Sequence, residues 1–260
     1  LLEMFDQVLP GMEPEAAKVL DRAFRKKGVT VRTGVQVGPA ERTGTGVVVP
    51  FGDDRVEVDT VLVAVGRAPV TDGIGLDAVG IETDRGFVKA DRATMLTSAP
   101  GVYAVGDIVA GTPQLAHVGF AEAIAAVTHI ATGEVAPVNY RAVPMVVYTH
   151  PEVASVGMTE QQAREQGIDV EVSSHGMRGL ARSIIHGETG GTVKLVTRRG
   201  GPLLGATIAD PLAGELIHEL MFAVGWEALP AEAAAMIHAH PTVSEAIGET
   251  LLSASGRSLH

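Results

Sequence analysis

The residues with the clearest capacity for chemistry lie near the end of the chain, in the run His-Ala-His-Pro-Thr-Val-Ser-Glu at 238–245. Histidine titrates near neutral pH, and a carboxylate that holds one ring nitrogen leaves the other able to exchange a proton with a substrate. The run therefore predicts a dyad in which His240 is the acid-base group and Glu245 orients it. Because Pro241 disfavours helix at the preceding residue, His240 should stand just before a helix.

Glu245 also has a purely structural interpretation. Thr242 and Glu245 have the Thr-x-x-Glu spacing of a capping box, in which two side chains bond the first N–H groups of a helix. The capping role and the dyad both remain open at this point. We interpret His238 as structural.

A second group of candidate residues follows a predicted strand at 102–105. Gly106 and Asp107 come at the carboxyl end of that strand, where open α/β sheets bind ligands, and a carboxylate there can accept hydrogen bonds from ribose or ribityl hydroxyls. A helix should start shortly afterwards, and its N–H groups and positive dipole could face an electron-rich carbonyl. The residues at this start are Gln114, Leu115, Ala116 and His117. Taken alone, Gly-Asp is a common turn.

The elements that must position these residues are those of an α/β chain with an aliphatic core. A helix should open at Glu13 and Pro14, bury a stripe that includes Val19 and Leu20, and close at 26–28. Another should follow the capping-box pattern at 159–162 and end at Gly167. The run at 61–65 is continuously apolar, which is typical of a strand buried on both faces. Strands are predicted at 29–32, 47–50, 55–58, 61–65, 87–90, 102–105, 145–148, 170–173, 193–197 and 203–208.

Composition excludes several classes of function. The formal net charge of −11 over 260 residues argues against nucleic acid and anionic membranes as partners. No apolar run approaches the ~20 residues that a membrane span needs. The cysteine count is zero, which excludes disulfides, thiolate metal sites and a cysteine nucleophile within these residues. We predict no metal site.

Two motifs resemble the pyridine nucleotide-disulfide oxidoreductases. The run Tyr-Ala-Val-Gly-Asp at 103–107, followed by Leu-Ala-His at 115–117, is similar to the second flavin motif of that family. The resemblance implies that Asp107, with Gly106, holds the ribityl chain of FAD, and that the helix start from Gln114 to His117 faces the flavin pyrimidine edge.

The beginning of the chain resembles the NAD-binding part of the same family. The run Val-Ala-Val-Gly-Arg-Ala-Pro at 63–69 is similar to the strand that leaves the NAD domain. By this resemblance Gly66 lets the nicotinamide half approach the backbone. Glu3 corresponds to the acid that binds the adenosine ribose hydroxyls, and Val37 to a backbone contact with the adenine.

The octapeptide at 238–245, with Asp-Pro-Leu-Ala-Gly-Glu-Leu-Ile at 210–217, resembles the dihydrolipoamide (dihydrolipoyl) dehydrogenase branch of the family. Glutathione reductases share His-Pro-Thr and the later acid but usually lack the first histidine. The resemblance implies a FAD-dependent enzyme that oxidises protein-bound dihydrolipoamide with NAD as acceptor. It also implies a homodimer, a lipoyl domain of a 2-oxo acid dehydrogenase complex as partner, and a cytoplasmic location.

The resemblance also predicts the organisation of the chain. Residues 1–70 correspond to the latter half of a Rossmann-like NAD domain, 71–140 to the returning segment of the FAD domain, and 141–260 to a mixed α+β dimerisation domain. Because these residues contain no cysteine and no glycine fingerprint, we expect a carboxyl-terminal fragment, inactive alone, of a longer parent. Two alternatives stay open: another disulfide or quinone flavin reductase of the superfamily, and a non-catalytic dimerisation module.

Overall fold

The computed structural model describes residues 1–257, which form two units: residues 1–62 together with 141 onward, and residues 63–140. The helices are α1 Pro14–Lys26, α2 Ala116–Thr132, α3 Glu160–Glu165, α4 Ala181–His186, α5 Ala213–Gly225, α6 Pro230–Ala233 and α7 Glu245–Ala254. The strands are β1 Glu41–Arg42, β2 Val47–Phe51, β3 Asp54–Val58, β4 Thr83–Asp84, β5 Phe87–Val88, β6 Met145–Val147, β7 Glu152–Gly157, β8 Val170–Gly176, β9 Thr192–Arg198 and β10 Leu203–Asp210. Within the described residues no helix is both long and apolar enough to cross a membrane.

The first unit is organised around a five-stranded antiparallel sheet in the order β6-β7-β10-β9-β8. Successive side chains of a strand point to opposite faces, so the sheet can be covered twice. On one face Leu195 and Ile208 pack with Ile217 of α5 and Ile247 of α7. On the other face Val153 and Ala209 pack with helix α1. The central strands are therefore buried on both sides.

Helix α1 forms as its sequence predicts. Pro14 lies in its first turn, Glu15 is an acid near the positive end of the dipole, and Lys26 is a base in the last turn. The side chains of Ala16, Ala17, Val19 and Leu20 are buried. Their spacing places them on the one stripe that faces the sheet, and the prediction is confirmed.

A buried ion cluster joins α1 to the sheet at the same place. Lys194 of β9, with its side chain only 3% exposed, donates to Glu13 at 2.7 Å, to Glu15 at 3.0 Å and to Glu160 at 3.0 Å. Burial lowers the pKa of the Lys194 ammonium, but the bonds to the three carboxylates outweigh it and the net pKa is raised. Glu13 is also buried, and it accepts the backbone N–H of Glu160. One lysine thus links three acids from α1, α3 and the residue before α1.

Three predicted strands are wrong. The apolar run at 61–65 has no strand partner within residues 1–257, and Val63 and Val65 are 72% and 94% exposed. A strand persists only where a neighbour satisfies its backbone groups, and hydrophobicity alone does not provide one. Residues 29–32 and 102–105 form only isolated bridges, Leu2 with Arg32 and Leu96 with Tyr103.

The second unit, residues 63–140, is small and carries one long helix, α2. Its core contains Val88, Ala104 and Val109, and a two-stranded ribbon of β4 and β5 lies beside them. Helix α2 begins at Ala116, as predicted, and ends at Thr132 before Gly133, which has the left-handed conformation (φ 74°) common after helices.

Candidate active site

The predicted dyad is present at the start of helix α7. His240 Nδ1 lies 2.8 Å from Glu245 Oε1, and the imidazole side chain is 72% exposed. Glu245 Oε2 accepts the backbone N–H of Thr242 at 2.8 Å. That N–H, and then the His240 ring, hold the pKa of the Glu245 carboxyl below its usual range. An ionised carboxylate therefore orients one ring nitrogen while the exposed side of the ring is accessible to a substrate.

The predicted capping box is only half formed. Glu245 bonds the Thr242 backbone as the box requires, but the Thr242 hydroxyl donates to Ala239 O at 2.7 Å and pairs with Ser244 Oγ at 2.9 Å. Ser244 occupies the N-cap without a side-chain cap bond. The prediction that Thr242 caps the helix is wrong, because its hydroxyl closes the preceding turn. Glu245 holds the turn and the histidine at once.

A second histidine–glutamate pair lies beside the first. His238 Nε2 is 2.8 Å from Glu219 Oε1 of α5, and the His238 side chain is 12% exposed. The bond from Glu219 raises the pKa of the His238 imidazole. The ring also packs on Gly248 of α7, where an added Cβ would stand 2.7 Å from Nδ1. His238 is therefore fixed between two helices, as a structural role would require, and His240 is the more exposed of the two histidines.

The second unit brings the predicted flavin-motif residues together. Asp107 is half exposed, and its Oδ2 lies 3.3 Å from Nη1 of Arg67. Arg67 also donates to the backbone oxygen of Gln114 at 2.5 Å, and Gln114 Nε2 donates to Asp107 O at 3.3 Å. Leu115 is at the N-cap of α2 and, being apolar, offers no side-chain hydrogen bond to the first turn. Ala116 and His117 begin the helix.

Gly106 needs to be glycine because of its backbone conformation. Its φ of +78° lies in the left-handed region that side chains disfavour. It also faces Gly119 of α2 so closely that a Cβ on Gly119 would stand 3.2 Å from Gly106 Cα. The turn therefore lies directly against the first turns of the helix, and Asp107 follows at the exposed side.

The remaining predicted residues lie along the first segment and its exit. The Glu3 carboxylate accepts the backbone N–H of Phe5 at 2.9 Å, and the Glu3 backbone bridges to Arg32. Val37 is half exposed and forms an isolated bridge with Phe51. Gly66 has a φ of +140° and open space where a Cβ would be. Glu3 and Val37 lie in the first unit and Gly66 in the second.

Comparison with known proteins identifies the family. A model of the pyridine nucleotide-disulfide oxidoreductases matches residues 1–123, and a model of the dimerisation domain of these enzymes matches residues 143–251. The chain belongs to the pyridine nucleotide-disulfide oxidoreductase family. FAD and NAD, the cofactors that the sequence predicts, are the cofactors of this family.

Individual relatives of this oxidoreductase chain support the same family assignment. It is 40% identical over 267 residues to the dihydrolipoyl dehydrogenase of Bacillus subtilis, covering 100% of this chain and 56% of that protein. LpdA from Mycobacterium tuberculosis superposes with a TM-score of 0.86 at 32% identity, over 97% of this chain and 55% of LpdA. The HOCl-induced flavoprotein disulfide reductase RclA from Escherichia coli superposes with a TM-score of 0.86 at 26% sequence identity, over 96% of this chain and 58% of RclA. The chain thus spans about half the length of the relatives it matches, and the mixed α/β fold class is confirmed.

Sequence reasoning missed several residues of these sites. Arg67 bridges Asp107 and Gln114 from a loop, and nothing in its local sequence indicates a partner forty residues away. Glu219 lies in α5 beside two other polar residues, Glu215 and His218, and nothing in that sequence singles it out as the partner of His238. Glu122 could have been predicted as a site residue, because it is the one acid in the sequence of α2, AHVGFAEAIAAVTHIAT. A lone buried acid on an apolar helix must find partners.

Proposed function

We propose that this chain is the carboxyl-terminal part of a FAD-dependent dihydrolipoamide dehydrogenase, which oxidises protein-bound dihydrolipoamide and reduces NAD⁺. The observation that carries the proposal is the His240–Glu245 pair, 2.8 Å apart, with an exposed ring in a chain of this family. A disulfide reductase of another kind would share the fold, but the extra histidine at 238 is typical of the lipoamide branch.

The reaction converts a dithiol and NAD⁺ into a disulfide, NADH and a proton. In it, His240 accepts the proton of the substrate thiol, whose sulfur attacks a redox disulfide that the complete enzyme would supply from outside these residues, and one sulfur of that disulfide leaves as a thiolate. Glu245 keeps Nδ1 in its hydrogen bond, so that the Nε2 side of the ring faces the thiol. The Glu245–Thr242 backbone bond limits rotation of the carboxylate. FAD supplies the electron transfer between the thiols and the nicotinamide.

The proposed cofactor residues fit the groups assigned to them. Asp107 is half exposed beside a helix start, so its carboxylate could accept hydrogen bonds from ribityl hydroxyls. Gly106 with the start from Gln114 to His117 would face the flavin ring. Glu3 would hold the adenosine ribose. Val37 and Gly66 would contact adenine and nicotinamide through backbone atoms.

The proposal includes the domain boundaries and the partners. Residues 1–70 are assigned to the NAD domain, 71–140 to the FAD domain and 141–260 to dimerisation. The homodimer is supported by the matched dimerisation model and by exposed apolar side chains in the first unit. These are Phe222, Trp226, Met236 and Ile237. A lipoyl domain would present the dithiol, and the proposed location is the cytoplasm.

Assay of the complete gene product that contains this sequence tests the function. We expect NADH formation from dihydrolipoamide and NAD⁺, measured at 340 nm, and a bound flavin with its visible absorption. Rapid reduction of quinones or other disulfides, without lipoamide turnover, would contradict the assignment and favour the alternative flavin reductase. A product with neither flavin nor turnover would favour the dimerisation module.

The same protein should prefer NAD over NADP by at least about tenfold in kcat/KM, a factor worth ~1.4 kcal/mol. The Glu3 carboxylate can accept hydrogen bonds from a ribose 2′-hydroxyl, whereas it would repel a 2′-phosphate. Steady-state kinetics with both nucleotides measure the ratio. Glu3→Gln, which removes the charge and keeps the shape, should reduce the ratio, and an equal kcat/KM for both nucleotides in the unchanged protein would refute the role of Glu3.

A further inference from the structure

We propose that Glu122 is the residue that positions the Gly106–Asp107 turn of the flavin site, and that Tyr140 holds the Glu122 carboxylate in place. This inference rests on the proposed function, because it assigns a task within the same cofactor site. Glu122, Tyr140 and the turn all belong to the second unit.

The Glu122 carboxylate is fully buried, and both of its oxygens are engaged. Oε2 accepts the backbone N–H of Gly106 at 2.6 Å, and Oε1 accepts the hydroxyl of Tyr140 at 2.8 Å. A buried carboxylate must be satisfied by donors, and a charge-assisted bond from a backbone N–H is among the short, strong kinds. Glu122 lies in the middle of α2 among the buried residues Val118, Ala125 and Ala126. Burying its carboxylate there costs free energy unless hydrogen bonds compensate, and one of its two bonds is made to this turn.

The bond to Gly106 determines where Asp107 lies. Gly106 has positive φ, and a Cβ on Gly119 would stand 3.2 Å from Gly106 Cα, so the lack of a side chain on Gly119 lets the turn lie close to the helix. The N–H of Gly106 then points into the helix, where Glu122 receives it. Asp107 follows with its side chain half exposed, and its backbone oxygen accepts a hydrogen bond from Gln114 Nε2 at 3.3 Å. If this bond were lost, the backbone that leads into Asp107 would lose its attachment to α2, and only the exposed contacts with Arg67 and Gln114 would hold that residue.

Tyr140 secures the carboxylate from the other side. The cation of Arg92 stands 5.6 Å from the centre of the Tyr140 ring, and the hydroxyl donates to Glu122. Burial, and then the bond to Glu122, raise the pKa of the Tyr140 phenol, so that it stays a donor throughout the neutral range. Glu122 is thus fixed by one backbone donor and one side-chain donor from different parts of the unit.

The test compares Glu122→Gln with Glu122→Leu in the complete gene product. The quantity measured is the dissociation constant of FAD from the apoprotein, which flavin fluorescence reports. Glutamine can accept the Gly106 N–H through its carbonyl and donate its amide to the Tyr140 oxygen, so we expect a dissociation constant within about threefold of the unchanged protein. Leucine leaves the N–H without an acceptor, and we expect a loss of about tenfold or more. Glu82→Gln, an exposed acid paired with Lys89, is the matched control and should change nothing.

Thermal unfolding of each apoprotein separates positioning from folding. If Glu122→Leu does not fold, Tyr140→Phe is tested in its place. Tyr140→Phe should raise the FAD dissociation constant about threefold and speed hydrogen exchange at the Gly106 amide, because the Glu122 carboxylate loses its second donor. FAD affinity unchanged in the leucine or phenylalanine variant would overturn the inference, as would a glutamine variant as weak as the leucine variant. An unchanged protein that binds no FAD would instead refute the proposed function.

Discussion

Replacing His240 with glutamine is expected to lower dihydrolipoamide turnover of the complete enzyme by about 10²–10⁴-fold, the usual cost of losing a general acid-base group. Glutamine keeps roughly the shape of the ring and can still bond Glu245, but it cannot carry a proton at neutral pH. Reduction of the flavin by NADH should be little affected, because His240 has no assigned role in hydride transfer. Stopped-flow reduction by NADH and steady-state lipoamide assays separate the two half-reactions.

The control for this result is the neighbouring pair. His238→Gln removes a histidine of the same tripeptide that is held between α5 and α7, so its effect on lipoamide turnover should be much smaller than that of His240→Gln. Glu245→Gln should show an intermediate loss, since it orients the base without replacing it. A deeper loss in His238→Gln than in His240→Gln, with both proteins folded and loaded with flavin, would show that the base is His238.

Replacing Lys194 with methionine is expected to lower the free energy of unfolding by about 3–5 kcal/mol, the range found when one partner of a buried ion pair is removed. Methionine fills much of the volume, but it leaves Glu13 buried without its cation, at a point where α1 crosses the sheet. The bond to Lys194 is also the first cause of the lowered pKa of Glu160. A lowered pKa contributes stability above the ordinary pKa of the group, which is lost as the pH falls.

Urea-induced unfolding of the 260-residue chain at neutral pH measures the effect. Glu15→Gln is the matched control: its side chain is 49% exposed and contacts the same ammonium, so its loss should cost no more than about 1 kcal/mol. The pH also matters for the comparison, because the difference between the unchanged chain and Lys194→Met should shrink in acid as Glu160 protonates. A cost below about 1 kcal/mol for Lys194→Met would mean that the cluster contributes little to folding.

How far the sequence predicted the fold depended on whether a pattern was local. Helix α1, the capping box at Thr159 and Gln162 and the strands β8, β9 and β10 follow from periodicity and neighbouring residues. Strand β7 lies between β6 and β10, second from one edge of the sheet, but it was not predicted. Its sequence, Glu-Val-Ala-Ser-Val-Gly at 152–157, lacks a regular alternation of apolar and polar residues, and its burial comes from α1 and α5, which are distant in sequence. The strand prediction at 61–65 was wrong for the opposite reason: the local apolar pattern is present, but no strand within residues 1–257 pairs with it.

The contacts of the candidate site could likewise be predicted only where they join residues close in sequence. His240 and Glu245 are five residues apart, so their contact could be predicted from spacing. The contacts of Arg67 with Asp107 and of Glu219 with His238 join residues 40 and 19 positions apart, and no local pattern specifies them. The cofactor roles came from family resemblance and stay predictions until binding is measured.

The attachment of α1 to the sheet has a consequence for protease cleavage. The first unit is made of two stretches of chain, and residues 63–140 form the only covalent route between them. The stretches share a core with Leu20 and Val153, and they are joined by Lys194 with Glu13 and by Lys27 with the carbonyl of His150. A protease that cut the exposed segment around 61–70 would therefore leave two peptides that separate in denaturant yet migrate together under native conditions.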